Sequence, residues 1–329
     1  MIYKVILFAR AYEEEDKETV IDLYEKIYDG RFTNEFWDWR FNKFGKPIRY
    51  LMWHDDELIG HYVLTQIPMQ FDNKISYQLQ SMNVLTHPSY QNKGIIFPTL
   101  AKLAYNEALK QNYKIIMGFP NERAKRFCFE YLGWKKFSNI VELEFIIKSE
   151  QIDFLSDKLE VQKILDFKSV DKLWNNYKQN IGCCIVRNSS FLNWRFFEHP
   201  EVSYTKKDPF LYFSFVIKEN SEPIFYFVLK KYGNICHVVD YFGKINNETI
   251  NAMLTYSIDF CKRNNFCSLT FWSNQYSEKS PIYEISKKLG FVTKPPSAYF
   301  GVLSLDQNLT SITTNQENWL VTMSDSDVF

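Results

Sequence analysis

The sequence predicts an α/β fold laid down twice in tandem, and three observations point to it. The first is an internal repeat. Phe36-Trp37-Asp38-Trp39-Arg40-Phe41 returns as Phe191-Leu192-Asn193-Trp194-Arg195-Phe196, Arg31 as Arg187, Asn121 as Asn274, and Leu132-Gly133-Trp134 as Leu289-Gly290-Phe291, at offsets of 153 to 157 residues. The second is that strand-like and helix-like hydrophobic periods alternate within each copy. The third is length, since 329 residues are long for one core and comfortable for two.

In the first copy, MIYKVILFAR reads as a first strand rather than a secretion signal, because Glu13-Glu14-Glu15-Asp16 follows at once. Thr19 to Tyr28 is helical, with Val20, Leu23, Tyr24 and Ile27 on one face. Arg49–His54 and Leu58–Gln66 flank an Asp55-Asp56-Glu57 turn and read as a hairpin. Ile75 to Leu85 continues the strands after Asp72-Asn73. Phe97 to Asn112 is a helix with an apolar stripe of Leu100, Leu103, Ala104 and Ala108. Lys114 to Phe119 is a strand, and a second helix closes at Leu132-Gly133-Trp134. In the second copy, Phe210–Lys218 and Ile224–Lys231 pair around Ser221-Glu222-Pro223, Glu248 to Asn264 is a helix, and Cys267 to Trp272 is a strand. Gly133 and Gly290 stand where a helix turns into the next strand, as C-cap glycines do. The polar, aperiodic stretch Lys148 to Glu160 sets the division: residues 1–148, residues 149–305, and a tail, 306–329. The tail carries Trp319, Leu320, Val321, Val328 and Phe329, which predicts that it docks back on the protein.

Lys plus Arg and Asp plus Glu are both 39, so no bulk field exists to hold nucleic acid or an anionic membrane. Aromatic residues, with 29 Phe and 21 Tyr, signal a large buried interior. No run of about 18 apolar residues occurs, so no membrane span is expected. Six cysteines, at 128, 183, 184, 236, 261 and 267, form no CxxC pair and no zinc spacing. They read as reduced cysteines used as small apolar residues in a cytoplasmic protein without a metal.

The chemistry points to Ser81–Trp134. An apolar run stops at Thr86-His87-Pro88, and Gln91-Asn92-Lys93-Gly94-Ile95-Ile96 leads into a helix. Such a loop leaves backbone N–H groups unpaired at a helix N-terminus, a site for phosphate. Strand, glycine loop, helix, strand, Asn121 and Leu132-Gly133-Trp134 in this order resemble the GCN5-related N-acetyltransferase (GNAT) superfamily. The resemblance implies two units, each a mixed, mostly antiparallel sheet flanked by helices, the first binding acyl-coenzyme A. It implies that Val84, Leu85 and Thr86 offer main-chain groups to the pantetheine arm and thioester. It also implies that Gln91, Asn92, Lys93, Gly94, Ile95 and Ile96 cradle the diphosphate, with Asn121 nearby. Two positions depart from the family pattern. Ile96 fills the second small position of the loop, and Phe129 stands where a tyrosine usually protonates the departing thiolate, leaving Tyr131 as the nearest candidate.

As general base the first copy offers Glu57, His61, His87, Gln78 and Gln80; His87 reads as a turn residue and His61 as a cross-strand surface residue. The layout is also similar to enhanced-intracellular-survival-type acetyltransferases. That implies that Asp325, Asp327 or the carboxylate of Phe329 accepts the amine proton. Between Gly243 and Glu248 the second copy has only Lys244-Ile245-Asn246-Asn247, so it is expected to bind no coenzyme A and to wall the acceptor cleft or support a homodimer. Arg40 and Arg195 either satisfy buried carbonyls or line a cleft. The expected function is transfer of acetyl from acetyl-coenzyme A to a primary amine of a small polar acceptor such as an amino sugar. Two alternatives stand beside it. One is a Fem-type aminoacyl transferase, opposed by the phosphate loop and the lack of a basic surface. The other is a non-catalytic coenzyme A-binding module, motivated by Phe129 and Ile96.

Overall fold

A computed structural model describes residues 6–28, 32–138, 140–148, 159–200, 211–274, 281–295, 299–327 and 329. Arg31, Phe210 and most of the expected division, 149–158, lie outside the described residues. The first unit runs β1 (Leu7–Ala11), α1 (Lys17–Ile27), α2 (Asn34–Phe41), β2 (Ile48–His54), β3 (Glu57–Phe71), β4 (Lys74–Thr86), α3 (Ile96–Lys110), β5 (Ile115–Gly118), β6 (Lys135–Lys136) and β7 (Ile140–Ile146). The second runs β8 (Leu159–Lys163), α4 (Val170–Tyr177), β9 (Cys183–Ile185), α5 (Ser189–Leu192), β10 (Leu211–Glu219), β11 (Glu222–Tyr232), β12 (Ile235–Gly243), α6 (Asn247–Arg263), β13 (Ser268–Asn274), α7 (Pro281–Leu289), β14 (Val292–Lys294) and β15 (Gly301–Ser304), before α8 (Thr310–Thr313) in the tail.

These strands form two sheets, ordered β1-β2-β3-β4-β5-β15-β6, with β9 on β3, and β14-β7-β13-β12-β11-β10-β8. Pairing within each sheet is antiparallel except once, β4 with β5 and β12 with β13. A parallel pair needs a crossover, and α3 and α6 supply it. The sheets also exchange a strand across the expected division at 148/149. β7 pairs with β13 of the second sheet, and β15 pairs with β5 of the first. Hydrogen bonding therefore stitches the units together, which a linear division of the chain does not convey.

The repeat seen in the sequence is a contact in space. Trp39 Nε1 donates to the Trp194 carbonyl at 2.8 Å, and Trp194 Nε1 returns the bond to Trp39 at 2.9 Å. The two rings stack 5.1 Å apart. Around this reciprocal pair lies one core cluster shared by both units and the tail; the faces covered by α3 and α6 form two further clusters.

The second helix of the first unit is shorter than its pattern implied, and its last part, Phe127–Tyr131, is a π-helical turn. That changes which side chains face inward, because a π turn shifts every residue around the axis relative to an α-helix. Gly133 (φ 76°) and Gly290 (φ 95°) both take the left-handed conformation expected of C-caps.

The tail is inserted between the units, with Trp319, Met323, Ser324 and Asp325 buried. Arg187, fully buried, donates to Asp325 Oδ1 at 2.5 Å and to Thr322 Oγ1 at 3.1 Å, and lies 3.4 Å from Asp240. Burial works against its charge, but Asp325 and Asp240 outweigh that and raise its pKa. Arg40 donates to the Asp327 carbonyl at 2.8 Å, while Arg195 donates to the carbonyls of Ser324 (3.1 Å), Ser326 (3.4 Å) and Phe329. Of the two roles open to these repeat-related arginines, both satisfy buried carbonyls, and the carbonyls belong to the tail.

Candidate active site

The pairing of β4 with β5 lasts three rungs, Leu79–Ile116, Gln80–Met117 and Ser81–Gly118, and then stops, while β4 runs on to Thr86. Asn83 sits in the parted stretch with φ 46°, and the register of β4 against β3 shifts beside it. A local twist of this kind lets β4 lean away from β5. Between the parted strands lies a cavity of about 620 Å³, and Val84, Thr86, Gln91, Gly94, Ile96, Asn121 and Asp327 line it.

At one mouth, Pro88–Lys93 forms a 3-10 turn, Gly94 is left-handed (φ 65°), and α3 starts after Ile95. The Ile95 side chain makes no cap, so the first N–H groups of α3 are left to an outside acceptor. Ile96 is 3% exposed and rests on Gly60, where any Cβ would collide with it. That explains its departure from a small residue: the side chain packs into the sheet, and only its main chain faces the loop. Ile95 itself is exposed. Arg123, also lining the cavity, donates to Gln91 Oε1 at 2.8 Å and brings a cation to this mouth. Asn121 Oδ1 accepts from the N–H groups of Arg123 (3.1 Å) and Ala124 (3.0 Å), so its side chain caps the following helical turn.

Leu85 is buried, and its main chain pairs with His61 on β3. His87 N–H donates to Ile59 on the same ladder, and strand alternation then turns the Thr86 amide, rather than that of Leu85, toward the gap. At the far end, Asp327 Oδ2 accepts from the Asn83 N–H at 3.2 Å. Tyr28 shares that end of the lining. Burial, and then the Asp327 charge, raise the pKa of its phenol.

Three catalytic expectations need correction. Tyr131 is 57% exposed and hydrogen-bonds to Arg126, because the π turn points it away from the gap. Asp325 is consumed by Arg187. The ring of Phe329 packs against Trp272 and His237, 5.4 and 5.2 Å away, and Arg195 holds its main-chain oxygen. Of the tail carboxylates proposed, Asp327 alone joins the cavity. His61, read as a surface residue, is buried, and burial with the nearby Arg49 charge lowers its pKa to about 3. Ser81, Arg123, Tyr28 and Phe119 line the cavity unannounced by any motif; for Arg123 the available signal was the basic run Arg123, Lys125, Arg126, of which Arg123 alone reaches the glycine loop, through Gln91. Among the described residues no cluster of three His, Cys, Asp or Glu side chains suits a metal ion, and no helix is long and apolar enough to cross a membrane.

Residues 9–136 match the family model of the acetyltransferase (GNAT) domain. No curated protein matches the chain. Among solved structures, the GCN5-related N-acetyltransferase of Anabaena variabilis superposes with a TM-score of 0.67 at 12% identity, over 92% of this chain and 73% of that one. A tandem GNAT protein from the clavulanic acid biosynthesis pathway gives 0.57 at 11%, over 91% and 98%. The glucosamine N-acetyltransferase region of a fungal multi-domain GH3 β-N-acetylglucosaminidase gives 0.59 at 14%, over 92% and 38%. At these identities the likeness is one of fold: the chain has a tandem GNAT fold, and the stretch that matches the GNAT domain model, residues 9–136, lies in its first unit.

Proposed function

We propose that the protein is an acyl-coenzyme A-dependent N-acyltransferase that moves acetyl from acetyl-coenzyme A to a primary amine of a small polar acceptor such as an amino sugar. The observation that carries this reading is the parted β4–β5 gap, with an uncapped helix start at one mouth and the Asp327 carboxylate at the other end. In this reading the amides of residues 91–96, with Arg123, hold the diphosphate, and the thioester lies along Val84 and Thr86. The Thr86 amide meets the developing oxyanion. The amine nitrogen attacks the carbonyl carbon, Asp327 takes the proton the amine loses, and the thiolate departs. Residues 1–148 supply this machinery, and residues 149–305 wall the acceptor side through Trp272, which stacks on Phe119 at 5.5 Å. The glucosamine-acetylating neighbour supports the amino-sugar choice. A panel of amino sugars and other amines, followed by thiol release from acetyl-coenzyme A, tests the reading. Asp327→Asn should lower kcat by about 10²–10⁴-fold with unchanged coenzyme A affinity. Tight coenzyme A binding with no thiol release on any amine would leave the non-catalytic module instead.

A further inference from the structure

The repeated Trp-Arg-Phe segments carry two arginines, Arg40 and Arg195, that no step of the transfer uses. Both are buried, and both reach the same stretch of tail. Arg195, from the second unit, donates to the carbonyls of Ser324, Ser326 and Phe329, on either side of residue 327. Arg40, from the first, takes the Asp327 carbonyl itself through Nη2 at 2.8 Å. Its Nε donates to Asn83 Oδ1 at 3.1 Å, and the Asn83 N–H donates to Asp327 Oδ2 at 3.2 Å.

These three hydrogen bonds close a ring through Arg40, Asn83 and Asp327. Two of its corners belong to the gap. Asn83 is the left-handed residue (φ 46°) of β4 just past its last rung with β5, and Asp327 is the tail carboxylate that lines the cavity. A guanidinium suits the third corner. Its Nε and Nη2 lie on one edge of a planar fork, so two acceptors are held at a fixed spacing. The rings of Phe36 and Trp39, 5.8 and 5.6 Å from the guanidinium, flank it. Gln80, also on β4, donates to the Asp325 carbonyl at 2.5 Å and ties the tail to the same strand two residues earlier.

We propose that Arg40 is a positioning residue for the transfer: through this ring it fixes the Asp327 carboxylate against the parted stretch of β4, where the amine proton is taken. This rests on the acyltransferase reading above, with Asp327 as the base. Arg40 touches neither amine nor thioester and exchanges no proton; it acts through Asp327. Residue 327 lies in no helix or strand, so its place depends on such side-chain ties. A misplacement of about 1 Å at a reacting group costs roughly 10²-fold in rate.

The test is a double-mutant cycle on acetyl-coenzyme A turnover, with the fastest amine of the panel as acceptor. Arg40→Met should lower kcat by about 10²-fold, with the amine KM and coenzyme A affinity little changed. Arg40→Lys keeps the charge without the fork and should fall nearly as far. In an Asp327→Asn background, Arg40→Met should lower kcat no further, because the residue it acts through is gone. Wild-type kcat in Arg40→Met, or an equal loss in both backgrounds as a purely structural role would give, overturns the proposal. Asn83→Gly covers the case in which Arg40→Met does not fold. Glycine accepts φ 46° and keeps the N–H to Asp327, yet removes the acceptor for Arg40. Its loss of kcat should likewise vanish in the Asp327→Asn background; no loss, or an equal loss in both, overturns the proposal. If Asp327→Asn itself turns over like the wild type, the Arg40 role falls and the acyltransferase reading stands. No thiol release by the wild type with any amine overturns both.

Discussion

The two units contain the same gap, and only one of them is open. In the first, β4 and β5 part after Ser81–Gly118, and the opening remains as a cavity. In the second, β12 and β13 part after Val238–Phe271, and the tail fills the space. The Met323–Asp325 turn lies against β12, Thr322 donates to Asp240 at 2.8 Å, and Phe329 covers Trp272. The helix starts differ in the same sense. α3 follows Ile95, which makes no cap, whereas α6 follows Asn246, whose side chain accepts from Thr249 N–H at 2.9 Å. A helix that satisfies its own amides has none to offer a diphosphate. Duplication thus gave one unit that keeps its polar groups available and one that has turned them inward to bind the chain's own end.

The largest blow to this arrangement is Arg187→Met, which leaves Asp240 and Asp325 facing each other without a cation. Removing one partner of a buried pair costs about 3–5 kcal/mol. Denaturant titration should show that loss, with the tail becoming sensitive to protease; wild-type stability would mean that the second gap is not locked by these charges.

Next in size is a pH effect, because each unit keeps a buried histidine near a cation. Burial and Arg49 lower the pKa of His61 to about 3, and burial and Lys230 do the same for His237. Both bind protons more weakly folded than unfolded, so stability is fully present above the unfolded value near 6.5. It is lost as pH falls toward 3, by about 1.4 kcal/mol per pH unit for each histidine. Thermal melts at pH 7 and pH 5.5 should differ accordingly, and His237→Asn should flatten the dependence. An unchanged melting temperature across that window would refute the effect.

The smallest expected effects separate the helix starts. Ile95→Glu places a carboxylate where the diphosphate is proposed to sit and should weaken coenzyme A binding about tenfold with little loss of stability. Asn246→Ala should do the reverse, costing about 1 kcal/mol and leaving coenzyme A affinity alone. If calorimetry found the two variants alike, the contrast between the units would lose its basis.

Much of this was legible in the chain. The Trp39/Trp194 repeat announced a tandem protein, and period and turn residues located the hairpins, α3 and α6. The glycine loop located the mouth of the cavity. What failed to read were contacts between segments distant in sequence. Nothing near Tyr131 signals a π turn, and nothing near Asp325 signals Arg187 waiting 138 residues away. His61 alternates like a surface residue, yet α1, α2 and the Asn83 bulge cover it.

By itself, then, the sequence determined the local order: which stretches become strands, where helices start, and that one start is capped and the other bare. Those outcomes depend on residues a few positions apart, whose preferences are written side by side. Only the tertiary structure decided the strand exchange of β7 and β15, the closure of the second gap by the tail, and which tail carboxylate lines the cavity, Asp327. Each of these depends on a surface made by residues far apart in the chain, whose burial and charge exist only once the two sheets have met.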